Sequence, residues 1–439
     1  MENAVLRYLD EHKQEISKTL SELIQIDSQN QGMPNTANEG EAQNYVYEHM
    51  KKLGLEPKKL AFDQNKCRPN VYGTLKGVGN GNSLLMNAHI DTVCVTDPDA
   101  WTLPPLAGII KDGKVHGRGA SDDKMAITAM LYAVKSLQEC GIKLKGDVYL
   151  LSSVGEESGE GGTIGAGPAV EHMPKPSFAI VSEATCMEMD IESSSMTYFE
   201  VIVKGKAAHA CGRNQALFPQ MHDVPSGSDV GVDALSKALP IIDMLYRLEQ
   251  DWCVNNKYKV WGAGGIPTHD MKGLGVFNVN PSKIEGGGYL YSLMNSVKIT
   301  YSLHYPVSMT IEEITSEIKR CVNAVASTDS WLRENPPEVR MPVYTNWPGF
   351  KTDINEPGLQ TLRSVYKRVL GKEAIVTANK SVMDTSFIRK AGIPVVGFGP
   401  GGVETNQHGV NEYCDLEELM KSIKVYACMM MEWCGLADN

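Results

Sequence analysis

The chain contains no run of about 18 consecutive apolar residues, the minimum for a membrane-spanning helix. It has no Lys/Arg-rich stretch of the kind that grips phosphate backbones, and its formal net charge is -11 with a pI near 5.5. An acidic surface of that kind repels nucleic acid and anionic membrane, so neither is an expected partner. No CxxC pair occurs, and the ten cysteines are scattered from Cys67 to Cys434. That usage fits a reducing compartment, with thiols packed as small apolar groups. Residues 1–20 lack the apolar core of a signal peptide. A cytoplasmic protein is therefore expected. Internal repeats and low-complexity tracts are missing too.

What is present is a globular composition: 439 residues, 42% hydrophobic and 22% charged. That length exceeds one ordinary core and predicts two domains, three at most. Helical spacing of Leu6, Leu9, Ile16, Leu20 and Leu23 predicts a helix over 1–26. A second helix is expected near 40–53, with a loop between them. Short apolar runs at 70–76, 83–88, 147–153 and Phe178–Val181 read as buried strands, and 123–140 reads as a helix. This alternation predicts an α/β sheet with sites at strand C-terminal ends.

Near residue 193 the texture changes. The segment 196–203 alternates like a half-exposed strand. A helix at 231–250, strands at 274–279 and 295–304, a helix at 310–326 and a strand at 339–343 follow. This β-α-β-β-α-β order predicts a smaller α+β, ferredoxin-like unit. A helix at 356–370, a buried strand at 394–399 and a final helix at 415–434 restore the first texture. The expected organisation is a catalytic α/β/α domain over 1–193 and 344–439, interrupted by an inserted lid domain over 194–343. The stretch 211–230 is rich in turn residues and reads as a long loop.

Five short motifs carry candidate chemistry. In LLMNAHIDTV, His89 and Asp91 are two apart, so on an extended segment they face the same way. A carboxylate there can orient a metal-binding imidazole, although a polar pair at a strand end needs no metal. In VHGRGASDDKMAITAM, Asp122 and Asp123 open an apolar helix, a pattern that also suits plain helix capping. In LLSSVGEESGEGGT, Glu156 and Glu157 follow a buried strand. One of the pair can bind metal while the other serves as general base. Glu183 in FAIVSEAT and His408 in GFGPGGVETNQHGVNEY complete the set. Two histidines among carboxylates suit zinc, with cobalt or manganese also possible, and a carboxylate-rich set suits two ions sharing a bridging ligand.

The order and context of these motifs, with Trp101…Pro104-Pro105…Gly108 and DGKVHGRGASDDK, resemble the co-catalytic zinc amidohydrolases. That family includes acetylornithine deacetylase, succinyl-diaminopimelate desuccinylase, aminoacylase-1 and carboxypeptidase G. The resemblance covers nearly the whole chain. It implies that His89, Asp122 and Glu183 hold one metal and that Asp122, Glu157 and His408 hold the other. It also implies that Asp91 orients His89, that Glu156 is the general base, and that the Asp122–Asp123 peptide is cis. The lid motif GKAAH places His209 where relatives use a histidine from the second subunit of a homodimer to stabilise an oxyanion. Asn295 matches a lid asparagine near substrate.

Two departures bear on substrate. Relatives read Asp-x-Arg-x-Pro on a lid strand, where this chain has Ser302-Leu303-His304-Tyr305-Pro306. His304 therefore replaces an arginine that grips a substrate carboxylate, and Arg213 is one alternative source of that contact. Residues 212–230 form an insertion carrying Phe218, Met221 and His222. Trp252, Trp261 and Trp347 either line an aromatic pocket or sit in the core. The leading expectation is a metal-dependent hydrolase of a small amide of N-acyl amino acid type. A dipeptidase or aminopeptidase of the same fold comes second. Hydrolysis of an amine borne on an aromatic ring and a non-catalytic binding protein stand further back.

Overall fold

The computed structural model describes residues 1–30, 38–217, 225–255, 277–379 and 381–437. Its centre is a nine-stranded mixed sheet. Four strands in the middle run parallel, in the order Val395–Gly397, Phe178–Val181, Leu84–His89, Val148–Ser153. Pro69–Leu75 and Lys58–Ala61 extend one side antiparallel, while Met189–Ser193, Val376–Asn379 and Phe350–Lys351 extend the other.

The central strands are apolar throughout because both faces are covered. Leu84, Met86, Val148, Leu150, Phe178 and Ile180 point into a core shared with helices Glu2–Glu11, Lys13–Ile24, Lys124–Glu139, Pro357–Leu370 and Leu416–Cys434. Leu85, Leu151, Ala179 and Val181 point the other way, toward Ala166–Glu171 and Thr385–Lys390. The helix expected over 1–26 is split at His12, whose ring Nδ1 bonds the Tyr8 carbonyl at 2.7 Å.

Strands Asn278–Gly286, Ser296–Tyr305, Ser195–Lys204 and Glu338–Trp347 form a separate antiparallel sheet, in that order. Helices Ala234–Asn255 and Ile311–Thr328 cover one face, with Phe199, Val201, Ile299, Tyr301 and Leu303 beneath them. The connection order is the expected β-α-β-β-α-β. The strand expected at 274–279 is found at Asn278–Gly286, and residues 274–276 lie outside the described residues. This is an edge strand with Pro281 at a register shift and mostly polar side chains, features that hide a strand from periodicity. The last strand of this sheet continues to Trp347, beyond the expected 339–343.

Within 211–230, Arg213–Leu217 is a short helix and Gly227–Asp229 a 3-10 turn. Phe218, Met221 and His222 lie outside the described residues, as does Trp261. Trp252 packs on Phe277 inside the smaller core, with ring centroids 4.5 Å apart.

Candidate metal centre and substrate cavity

Parallel strands bring their C-terminal ends to one edge of the sheet, and the candidate residues collect there. His89 ends one central strand. Glu156 and Glu157 follow the next, after Gly155 turns the chain at a φ of +72°. Glu183 lies two residues past Val181. His408 is carried on the loop after Val395–Gly397. That loop passes so close to the strand beside it that a Cβ on Gly399 would sit 2.4 Å from the Glu183 carbonyl, which is why glycine stands there. Asp122 precedes the buried helix Lys124–Glu139, and the Asp122–Asp123 peptide is cis. Asp123 stands at the N-cap of that helix, but no side chain makes a capping hydrogen bond there.

His89, Asp122 and Glu183 offer ligand atoms within 4.8 Å of one another, and so do Asp122, Glu157 and His408. Asp122 belongs to both groups through different oxygens. Its Oδ1 is 2.9 Å from His89 Nε2, and its Oδ2 is 3.1 Å from His408 Nε2. Glu183 Oε1 lies 3.6 Å from His89 Nε2, and Glu157 Oε1 lies 2.9 Å from His408 Nε2. On its other side, His89 Nδ1 donates to the Asp91 backbone carbonyl at 2.9 Å, leaving Nε2 as the ligand atom. The Asp91 carboxylate accepts from the amides of Glu156 and Glu157, at 3.2 and 3.0 Å, and from Asn30 Nδ2 at 3.0 Å. Asp91 thus ties the histidine strand to the glutamate turn.

The electrostatics favour cations at this place. Burial pushes the carboxyls of Glu156 and Glu157 above their usual values, Glu156 by a wide margin, and it pushes Glu183 up to about 8. Burial acts the same way on Asp122, but bonds from His408 and His89 outweigh it and hold that carboxyl far down. Asp122 and Glu157 in turn raise His408 to about 11. Three carboxyls, Asp122, Glu157 and Glu183, and two imidazoles form a donor set that fits two divalent ions.

Several supporting residues gave no separate signal in the sequence. Glu412 accepts from the backbone amides of Ser121 and Asp122 at 2.8 and 3.1 Å, and pairs with the fully buried Arg118 at 2.5 Å. Both lie in stretches that carry the resemblance, yet their pairing spans most of the chain. Asp384 accepts from Ser153 Oγ at 2.7 Å beneath the site, and burial raises it to about 6. Arg68 joins Glu39 and Glu160 behind the glutamate loop, at 2.7 and 2.6 Å. Gln407 Nε2 donates to Asp122 Oδ2 at 2.5 Å.

The centre opens into a cavity of about 1230 Å3. Met196, Tyr198, Tyr344 and Trp347 of the four-stranded sheet line it, together with Glu188 and Asp190 from the larger sheet. Among the described residues lining it, none is Lys or Arg. His209, Asn295 and His304 are not on its wall. His209 is exposed and accepts from the Cys211 amide at 3.2 Å. Asn295 is exposed, and its carbonyl accepts from the Gly205 amide at 2.8 Å. His304 pairs across the sheet with Met196, and burial lowers its pKa. Arg213 is engaged with Asp233 at 2.5 Å.

A shared edge of parallel strands carrying two carboxylate–histidine groups around a common aspartate defines a hydrolase of the metal-dependent class. Residues 85–432 match the family described as Peptidase family M20/M25/M40, and the chain belongs to that family. It is a hydrolase acting on C–N bonds. The chain is 30% identical to N-formyl-4-amino-5-aminomethyl-2-methylpyrimidine deformylase of Bacillus subtilis, over 97% of this chain and 96% of that protein. It is 29% identical to the protein of the same name from Halalkalibacterium halodurans, over 98% and 97%. Human carnosine dipeptidase 1 shares the fold with a TM-score of 0.71 at 17% identity, over 99% of this chain and 100% of that one.

Proposed function

We propose that this chain removes a small acyl group, formyl foremost, from a primary amine attached to a heteroaromatic ring. The observation that carries the reading is Glu156, half-buried beside the two ligand groups and open to a cavity without Lys or Arg among its described lining residues. Away from the metal centre, a substrate with a free carboxylate would find no Lys or Arg among the described residues of that wall. An uncharged formyl amide needs none. The deformylases similar to this chain act, by their names, on such a compound.

His89, Asp122 and Glu183 would hold one divalent ion and Asp122, Glu157 and His408 the other, zinc first and cobalt or manganese as alternatives. When bound, such ions supply Lewis-acid polarisation of the amide carbonyl and acidify water. The rest is done by the chain. Asp91 holds His89 and the Glu156–Glu157 turn in register. Glu156 accepts a proton from the attacking water and delivers it to the leaving nitrogen. Tyr198, Tyr344 and Trp347 shape the space for a flat ring and narrow the room for bulk water.

The catalytic domain in this reading comprises 1–193 and 344–439, with 194–343 as lid. We further propose a homodimer through the lid, in which His209 of one copy completes the site of the other. Its support is an exposed apolar tip, Tyr289, Leu290 and Tyr291, next to His209, whose neighbour Ala210 donates to the Tyr291 carbonyl at 2.7 Å. Ten unpaired cysteines favour a cytoplasmic setting, and no helix among the described residues is long and apolar enough to cross a membrane.

The test is formate release by purified protein supplied with Zn, Co or Mn. Its substrates are formyl amides of aminomethyl-pyrimidine and benzylamine, a set of N-acyl amino acids, and dipeptides. Turnover of the formyl amides above the others is expected. The dipeptidase reading keeps one specific observation in its favour, the acidic pair Glu188 and Asp190, which a free α-ammonium could use. Cleavage of dipeptides alone would replace the first reading with it.

A further inference from the structure

We propose that Glu188 and Asp190 form the subsite that selects the amine half of the substrate, by receiving the donor edge of an amino-substituted nitrogen heterocycle. The inference rests on the deacylation reading and adds the residues that set its specificity. Both side chains line the same cavity as Glu156, Glu157 and Glu183, yet neither belongs to either candidate metal group. They stand two apart at the entry to strand Met189–Ser193, a spacing that sends both to one side of an extended chain. Glu188 is 9% exposed and Asp190 3% exposed.

Their burial is only partly compensated from within. Asn379 Nδ2 donates to one oxygen of Asp190 at 3.0 Å. Glu188 Oε2 has no hydrogen-bond partner among the described residues. Lys372 is the cation that acts on Glu188, from an adjoining depression that shares Cys186 and Glu404 with the cavity. Burial raises Glu188 to about 7 and Asp190 to about 8. Desolvating a carboxyl without partners is costly, so a ligand that brings N–H donors to this wall gains what the protein leaves unmade.

The shape of that ligand follows from chemistry. A ring nitrogen that carries a proton beside an exocyclic amino group presents two parallel donors, the geometry a carboxylate accepts in bidentate fashion. A flat ring also suits the neighbouring wall. Tyr198 and Tyr344 meet edge to face, with centroids 5.9 Å apart, and Trp347 lies beside them in the lining. A dipeptide would satisfy the acidic pair with its ammonium but would bring a carboxylate into a wall without a described Lys or Arg. The heterocycle uses both features and adds no charge that is unmatched.

The experiment uses the full-length, metal-loaded protein and two formyl amides of matched size, one built on an aminomethyl-aminopyrimidine and one on benzylamine. The readout is selectivity, the ratio of their kcat/KM values, in the wild type, Glu188→Gln and Asp190→Asn. Each variant is expected to lower that ratio about 30-fold or more, mainly through KM for the aminopyrimidine. An unchanged ratio in both variants overturns the proposal. Calorimetry on the wild type with the two free amines keeps the test open if a variant misfolds or no formyl amide is turned over. Binding of the aminopyrimidine about 30-fold or more tighter than benzylamine supports the subsite, and equal binding removes it. Absence of formate release with retained amine selectivity would defeat the deacylation reading alone.

Discussion

His89 and His408, from distant parts of the chain, approach two oxygens of one carboxylate at 2.9 and 3.1 Å, at the edge of the nine-stranded sheet. In and beside the four-stranded sheet, the three residues singled out by the resemblance, His209, Asn295 and His304, are all absent from the cavity wall. The contrast has a topological cause. Parallel strands end together, so side chains just past their ends converge whatever their separation in sequence. Antiparallel strands end at alternate edges. A residue on such a sheet reaches the cavity only by face and strand together: Met196 and Tyr198 line it from Ser195–Lys204, whereas His304, on Met196's face, sits one strand farther out.

The largest test of this comparison is Glu156→Gln. Removing the proton carrier while keeping the shape should lower kcat by about 10^3-fold, with metal content and melting unchanged. A variant that keeps full rate would show that the strand-end site is not the reacting one.

Next in size is the support beneath Asp122. Arg118→Met strands Glu412 as a buried carboxylate without its ion-pair partner. A loss of about 3 kcal/mol or more is expected in denaturant unfolding. A smaller loss would mean that Glu412 takes up a proton at little cost, in line with the value of about 7 to which burial raises it.

His209→Ala probes the other half of the comparison. If a second copy supplies this side chain, kcat should fall about 10^2-fold. Mixing the variant with Glu156→Gln should restore activity, because one site of the mixed dimer would then be whole. An unaffected rate, or no rescue, would leave the lid histidine without a role in turnover.

The smallest effect concerns Asp190, raised by burial from 3.8 to about 8. Between those values the folded state keeps a proton that the unfolded state has released. Stability contributed by this group is therefore fully present near pH 4 and falls as pH rises toward about 8. Asp190→Asn should remove that decline, so wild type and variant should diverge in urea midpoint between about pH 5 and about pH 8. Parallel midpoints across that range would show that Asp190 ionises as freely folded as unfolded.

Much of this molecule was legible before its coordinates. Apolar runs with turn residues after them marked the central strands, and the acidic or imidazole side chains just beyond them marked the site. Less legible was Asn278–Gly286, a polar edge strand broken by Pro281, which shows no alternation to read. Glu412, Asp384, Glu188 and Asp190 were missed for a different reason. A carboxylate in a mixed sequence context looks solvated, and only packing reveals that it is enclosed.

By itself the sequence determined the class of fold, the order of its elements and the types of ligand available, because periodicity and strand-end chemistry are local properties. The tertiary structure decided which of those groups meet, that Asp122 faces both groups at once, and that Glu188 and Asp190 share a wall with the centre. Such decisions depend on distances between segments far apart in the chain. Only the packed sheet, with its strands in a definite order, sets them.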